Sequence, residues 1–317
     1  MSFLTTKHIG MMLTVLAAQG VLAANQPQQE EPTYSVKSYS VPHARGLVRT
    51  KESTQWIRNA PHVAFPEAAT SVPKTYSLRG KAGPVEDQGQ CGSCWDFSLT
   101  TVLRGSWIVA GKDPGRLSFN YLLNCATTMQ GCNGGDFPAA DMFISPKGAP
   151  AYGTDGEYTQ ANGTCIAEKA VASTVSYKLL GTDMGANPTG AQPSFRDIAY
   201  IVGVLHQPVS IDVAADDNWE GYSGGVYNAC SDQKAADINH MVVIEGYDCE
   251  TAVDSTGHCT FDAKGNLPHG VGTWLIRNSW GTDWGDDGYI TTKATDKNGV
   301  ACNMAASDAL YYDVTGK

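Results

Sequence analysis

Nine cysteines, at positions 91, 94, 125, 132, 165, 230, 249, 259 and 302, constrain this chain more than any other feature of its sequence. The number is odd. If eight pair, four cross-links dictate which distant segments meet, and one thiol is left over. Eight cysteines admit roughly a hundred pairings, and the sequence alone does not choose among them. A leftover thiol in an exported protein is a candidate reactive group. Export is legible at the N-terminus. Lys7 and His8 precede an apolar run, Ile9–Ala18, and the small residues Val21-Leu22-Ala23-Ala24 follow. That is the layout of a secretory signal peptide, expected over 1–23. The run is too short for a membrane anchor. Export implies an oxidising compartment (extracellular, periplasmic or lysosome-like) in which disulfides persist.

The formal net charge of −10 over 317 residues argues against nucleic acid as a partner. No apolar run in the body of the chain is long enough to span a membrane. Charge is unevenly spread. Residues 33–62 carry Lys37, Arg45, Arg49, Lys51 and Arg58 against Glu52, whereas from Val72 onward 28 acidic residues face 16 basic ones. The texture of the chain changes along its length. Cys94–Ala110 is helix-compatible with Gly111 as a C-terminal cap, and Leu117–Cys125 suggests a second helix. Val209–Val213, Met241–Tyr247, Trp274–Arg277 and Tyr289–Thr292 read as strands between glycine-rich turns. Helices followed by strands predict an α+β fold.

Residues 88–98 read Gln-Gly-Gln-Cys-Gly-Ser-Cys-Trp-Asp-Phe-Ser. This stretch resembles the active-site segment of the papain/cathepsin family of cysteine peptidases, for which Cys-Gly-Ser-Cys-Trp is a family-specific signature. Two further segments carry the resemblance. Ile238-Asn239-His240-Met241-Val242-Val243-Ile244-Glu245-Gly246-Tyr247 is similar to the family's histidine strand, and His240 follows Cys94 by 146 residues. Leu275-Ile276-Arg277-Asn278-Ser279-Trp280-Gly281 is similar to its asparagine segment. The resemblance covers 72–317. It implies a two-lobed fold, with a helical lobe at about 90–180, an antiparallel barrel-like lobe at 181–310 and a cleft between them.

Catalytic roles follow from the resemblance: Cys94 as nucleophile, His240 as general acid and base, Asn278 orienting His240, and Gln88 in the oxyanion hole. A thiol needs activation, and a helix start at Cys94 with Ser93 as N-cap would favour the thiolate. No metal or organic cofactor is required. Gly134 and Gly135 would hydrogen-bond the substrate main chain, and Trp280 would shield the His240–Asn278 bond. Asp136 or Phe137, Asp212, Ile238 and Ser307 would line the second subsite, where the two aspartates favour a basic substrate residue. The resemblance also implies the disulfides Cys91–Cys132, Cys125–Cys165 and Cys230–Cys302. Cys249 and Cys259 then pair within an insertion at 248–272, and Cys94 stays free.

The segment Ser71–Arg79 is similar to the start of mature enzymes of the family, so 24–71 reads as a short propeptide, with a solvated linker as the alternative. As a propeptide it would be the enzyme's own inhibitor, its basic stretch lying on the acidic remainder and loosening in acid. The expected product is a monomeric endopeptidase acting on peptides or proteins, made as an inactive precursor. Asp96 departs from the family. It completes a capping-box-like Ser93-x-x-Asp96 and places a charge that should oppose Cys94 ionisation. His240 and Asn278 lie 38 positions apart, more than is common in the family, which makes the insertion either a stapled loop or a restriction on the cleft. Two rival readings are a catalytically silent relative and a thioredoxin-type Cys91/Cys94 redox pair.

Overall fold

The computed structural model describes residues 33–65, 71–166, 168–181, 193–229, 237–297, 299, 302, 304 and 308–315. The expected signal peptide lies outside these residues, as do Cys230 and Ser307. Among the described residues, no helix is long and apolar enough to cross a membrane.

The strands are β1 (Tyr34–Val36), β2 (His62–Val63), β3 (Thr75–Ser77), β4 (Ala149–Pro150), β5 (Ala170–Ala172), β6 (Ser176–Leu180), β7 (Val209–Val213), β8 (Tyr222–Tyr227), β9 (His240–Asp248), β10 (Thr273–Arg277), β11 (Tyr289–Lys293) and β12 (Ala309–Asp313). The helices are α1 (Lys51–Asn59), α2 (Cys94–Val109), α3 (Phe119–Cys125), α4 (Phe195–Gly203) and α5 (Asp217–Gly221), with 3-10 turns at Gly131–Asn133 and Phe137–Phe143. β4 and β5 form a separate pair, and β3 adds to β9. The remaining strands form one sheet in the order β1-β8-β11-β10-β9-β7-β12-β6-β2. Its pairs are antiparallel except β11–β8 and β2–β6. The expected antiparallel sheet is therefore mixed at two places.

Strand β9 explains the architecture. It reads His-Met-Val-Val-Ile-Glu-Gly-Tyr-Asp and is buried from His240 to Tyr247. An alternating strand buries one face. A near-continuous apolar run is what a strand between two cores needs. Val242 and Ile244 face the core of the strand-rich lobe, beside Val209, Ile211 and Trp274. Met241 and Val243 face the other core, beside Cys94, Leu99, Val102 and Leu122. Helix α2 is buried along most of its length, and Ser98 Oγ fastens it to β9 by donating to the Val242 carbonyl at 2.8 Å. The start of β9 thus lies where the two lobes meet.

The structure moves several boundaries. Helix α3 starts at Phe119 because the Ser118 side chain accepts from the Tyr121 N–H and caps it there. Helix α4 was not anticipated, although Ser194 and Asp197 form a capping box. Ser93 precedes α2 but makes no side-chain cap; its hydroxyl lies 2.8 Å from Tyr158 Oη instead. Nor does Asp96 reach back to Ser93. It accepts from Thr100 Oγ1 at 3.0 Å.

Disulfides Cys91–Cys132, Cys125–Cys165 and Cys249–Cys259 are present, and among the described cysteines Cys94 is free. A Cys91/Cys94 redox pair is thereby excluded. Cys302 is disulfide-bonded, while Cys230, expected as its partner, lies outside the described residues. The 248–272 insertion packs on the segment before β3. The Cys259 N–H donates to the Val72 carbonyl at 2.8 Å, and Lys74 N–H to Gly257 at 3.1 Å. It is a stapled loop against Val72–Lys74.

Candidate active site

Cys94 opens α2 with its side chain fully buried. Its Sγ accepts the Met241 N–H at 3.3 Å, which sets the thiol against the first residues of β9. His240, the first residue of that strand, is also fully buried. Its Nε2 lies 2.8 Å from Asn278 Oδ1, and Asn278 directly follows β10, the neighbour of β9. Trp280 stacks on the imidazole at 4.7 Å between ring centroids. His240 Nδ1 has no hydrogen-bond partner, so it is the ring nitrogen left to serve a thiol.

Gln88 is buried three residues before Cys91, and its Nε2 donates to the Cys91 carbonyl at 2.9 Å. The Ser279 hydroxyl donates to Gln88 Oε1 at 2.6 Å. Ser279 therefore fixes the orientation of the amide, with Nε2 on the Cys91 side, a role not read from the sequence although Ser279 adjoins Asn278. One Nε2–H is used by Cys91, and the second remains.

A chain segment occupies the groove in front of these groups. Gly46 and Leu47 donate to the Asn239 carbonyl at 3.3 and 3.1 Å. Gly135 donates to the Gly46 carbonyl at 2.9 Å and accepts the Val48 N–H at 3.0 Å, in parallel pairing. Position 46 requires glycine, because a Cβ there would lie 2.0 Å from the Gly92 carbonyl oxygen. Gly135 is equally constrained, since its Cβ would fall 2.4 Å from the Trp95 ring. Gly134 takes φ +126 and turns the chain into that edge. Outside the groove, Trp280 Nε1 donates to the Ala44 carbonyl at 2.9 Å and His43 stacks on the indole at 4.7 Å. His43 and Arg45 both pair with Glu220. The basic stretch thus lies on acidic surface, as its charge suggests.

This cover inverts the expected electrostatics. A helix start and an imidazolium would favour a thiolate. Instead, burial pushes the Cys94 thiol up to about 12, helped by the Asp136 charge and opposed by the N–H groups of Met241, Trp95 and Cys94. Burial likewise lowers the His240 imidazole to about 3, against the Asn278 hydrogen bond. With water excluded, both groups are neutral. Asp96 does not act as expected either. Burial raises its carboxyl well above the usual range, which disfavours a charge there.

The subsite candidates fall into two groups. Asp136 and Asp212 come together beside Phe137, and Asp308 joins them. Asp308 was not singled out in the sequence, and its expected neighbour Ser307 lies outside the described residues. Ile238 is half-buried and packs with the helical lobe's core. Arg49 reaches from the groove-bound segment into the three aspartates.

The model of the papain family cysteine protease matches residues 72–311. Vignain from Phaseolus vulgaris is 34% identical over 244 residues, covering 74% of this chain and 59% of that protein. Cathepsin L from Sarcophaga peregrina is 30% identical over 254 residues, covering 77% of this chain and 65% of that protein. The chain spans little more than half the length of the first curated relatives it matches. Among solved structures, a recombinant stem bromelain precursor superposes with a TM-score of 0.67 at 25% identity, covering 90% of this chain and 85% of that one. On the extent of the family match and on these relatives, the chain belongs to the papain family of cysteine proteases.

Proposed function

We propose that this chain is the precursor of a cysteine endopeptidase that hydrolyses peptide bonds through a thioester on Cys94. The carrying observation is the convergence at the start of β9. The free thiol of Cys94 lies against Met241 N–H, and the adjacent His240 is held by Asn278.

In the reaction, His240 Nδ1 takes the Cys94 proton, and the thiolate attacks the substrate carbonyl carbon. The oxyanion accepts hydrogen bonds from the second Gln88 amide N–H and the Cys94 backbone N–H, donors of a kind worth about 10²–10³ in rate. The imidazolium gives its proton to the leaving amine as the C–N bond breaks. His240 then removes a proton from water, which attacks the thioester carbonyl and releases the acid and the thiol. Gly135 would hold the substrate main chain through the N–H and carbonyl that now hold Gly46 and Val48.

Residues 24–71 act as the propeptide. Its Gly46–Val48 stretch fills the groove, excludes water and holds Cys94 and His240 neutral, which is a sufficient cause of latency. An exported compartment fits the disulfides. The test is active-site labelling. Full-length protein incubated in acid should lose its N-terminal segment, become labelled at Cys94 by an epoxysuccinyl inhibitor, and hydrolyse peptide amides. Cys94→Ala should do none of these. Peptide hydrolysis by Cys94→Ala at the wild-type rate would defeat the reading.

A further inference from the structure

The phenol oxygen of Tyr158 sits between two separate pieces of the site. It donates to the Gln88 carbonyl at 2.9 Å, and the Ser93 hydroxyl lies 2.8 Å from it. A carbonyl only accepts, so the one phenolic proton goes to Gln88 and the Ser93 hydroxyl donates to Tyr158. The hydrogen bonds therefore run one way, from Ser93 through Tyr158 to Gln88. Ser93 and Gln88 are both fully buried. Ser93 directly precedes Cys94, whose N–H is one donor to the oxyanion, and Gln88 carries the other. This contact also accounts for the Ser93 hydroxyl, which does not cap α2.

Tyr158 is itself held in place. Its ring stands edge-on to Phe97 of α2 at 5.0 Å and to Phe119 of α3 at 6.4 Å, and those two rings stack at 4.0 Å. The turn before it is fastened to the start of α3. Asn120 Nδ2 donates to the Gly156 and Glu157 carbonyls at 3.0 Å, and Ser118 Oγ donates to Asp155 at 2.6 Å. Burial raises the phenol above its ordinary value, so it remains a donor. Gln88 is thus gripped from two sides. Its N–H donates to the Ser279 carbonyl at 2.9 Å on the β10 side, and Tyr158 holds its carbonyl on the α2–α3 side.

Resting on the peptidase reading above, we propose that Tyr158 is a positioning residue for the oxyanion hole, its hydroxyl holding the Gln88 main chain in register with the start of α2. Oxyanion donors act only from hydrogen-bond distance, and their value lies in being fixed there before the reaction begins. Without the hydroxyl the buried Gln88 carbonyl loses its partner, and the segment shifts to find another. Tyr158 touches neither the Cys94 thiol nor the His240 ring, so the loss falls on transition-state stabilisation and not on thiolate formation.

Tyr158→Phe keeps the ring and removes the donor. In self-processed protein with active sites titrated at Cys94, kcat for a fluorogenic peptide amide should fall about tenfold or more, with KM within about twofold of wild type. The pH profile of Cys94 alkylation should not move. In a Gln88→Ala background the same substitution should cost at most about twofold, because the donor it positions is gone. An unchanged kcat, a loss carried by KM, a shifted alkylation profile, or an undiminished cost in the Gln88→Ala background overturns the proposal. Should Tyr158→Phe not fold, Ser93→Ala decides, since it frees the phenol from α2 while leaving its bond to Gln88. It should lower kcat about threefold with KM unchanged, and again not in the Gln88→Ala background; an unchanged kcat, or an equal loss in that background, overturns the proposal. Should the wild type neither cleave peptides nor be titrated at Cys94, the peptidase reading has failed, and the proposal fails with it.

Discussion

The Nε2 of His240 lies 2.8 Å from the Oδ1 of Asn278, and Oδ1 also accepts the Ser279 N–H at 2.8 Å. An acceptor on Nε2 fixes the tautomer with its proton there, leaving Nδ1 to exchange a proton with sulfur. Asn278→Ala should therefore lower kcat/KM at least about tenfold, through loss of part of the 10²–10⁴-fold that acid–base catalysis supplies. Steady-state kinetics on titrated enzyme check this.

Ser279 supports the opposite side of the site. Its hydroxyl donates to Gln88 Oε1, so it orients the amide that is to face the oxyanion. Ser279→Ala should lower kcat with little change in KM, and by less than Gln88→Ala, which is expected to cost about 10²–10³. A change in KM alone would mean that Ser279 serves substrate binding instead.

The insertion joined by Cys249 and Cys259 packs on Val72–Lys74 rather than on the groove. Replacing both cysteines with serine should lower stability by about 3 kcal/mol on the chain-entropy account of a loop this short. kcat/KM for short peptides should stay at the wild-type value. Chemical denaturation and kinetics on the same preparation separate the two effects.

What was legible in the sequence follows a physical pattern. The central strand was visible because a strand buried on both faces, such as β9 over Met241–Ile244, needs an apolar run that few other arrangements require. The candidate catalytic residues stood out because chemistry restricts their types. Helix α4 was obscured by its mixed composition, although its Ser194/Asp197 capping box was a usable signal. Helix α1 carried the weaker one, Thr50 with Ser53. Ser93 illustrates a limit of local rules. A good N-cap residue was drawn off by Tyr158, which reaches it from 65 positions away. The acidic pocket was half visible. Asp136 and Asp212 were found, but Arg49 was one basic residue among several, and nothing local marks it as the one that enters.

Asp96 changes meaning in the structure. The sequence suggests a charge opposing Cys94 ionisation, but burial holds this carboxyl well above the usual range, with Asp155 acting in the same direction and Thr100 against it. A raised carboxyl favours the folded state while protonated, and that contribution is lost as pH rises from 3.8 through the raised value. Asp96→Asn keeps the site neutral throughout. It should melt about 2 °C or more above wild type at pH 7.5, with the difference shrinking toward pH 4. The pH profile of Cys94 alkylation should be unchanged in the same variant.

The groove-bound segment should be released by acid, and the sign follows from His240. Covered, the imidazole is lowered to about 3; uncovered and solvated it returns toward 6.5. A lowered histidine stabilises the covered state fully above pH 6.5 and loses that contribution as pH falls toward 3. At pH 5 the uncovered state therefore gains about 2 kcal/mol from this group. Cys94 acts at the other end: raised to about 12, it favours the covered state below its ordinary pKa and progressively less as pH rises from about 8.5. The cover should be tightest between about pH 6.5 and 8.5. Full-length Cys94→Ser, which cannot process itself, isolates uncovering from catalysis. Its 33–65 segment should be cut by an added protease at least about tenfold faster at pH 4.5 than at pH 7.5, after correction for that protease's own pH dependence. Equal corrected rates would show that the buried imidazole does not govern release.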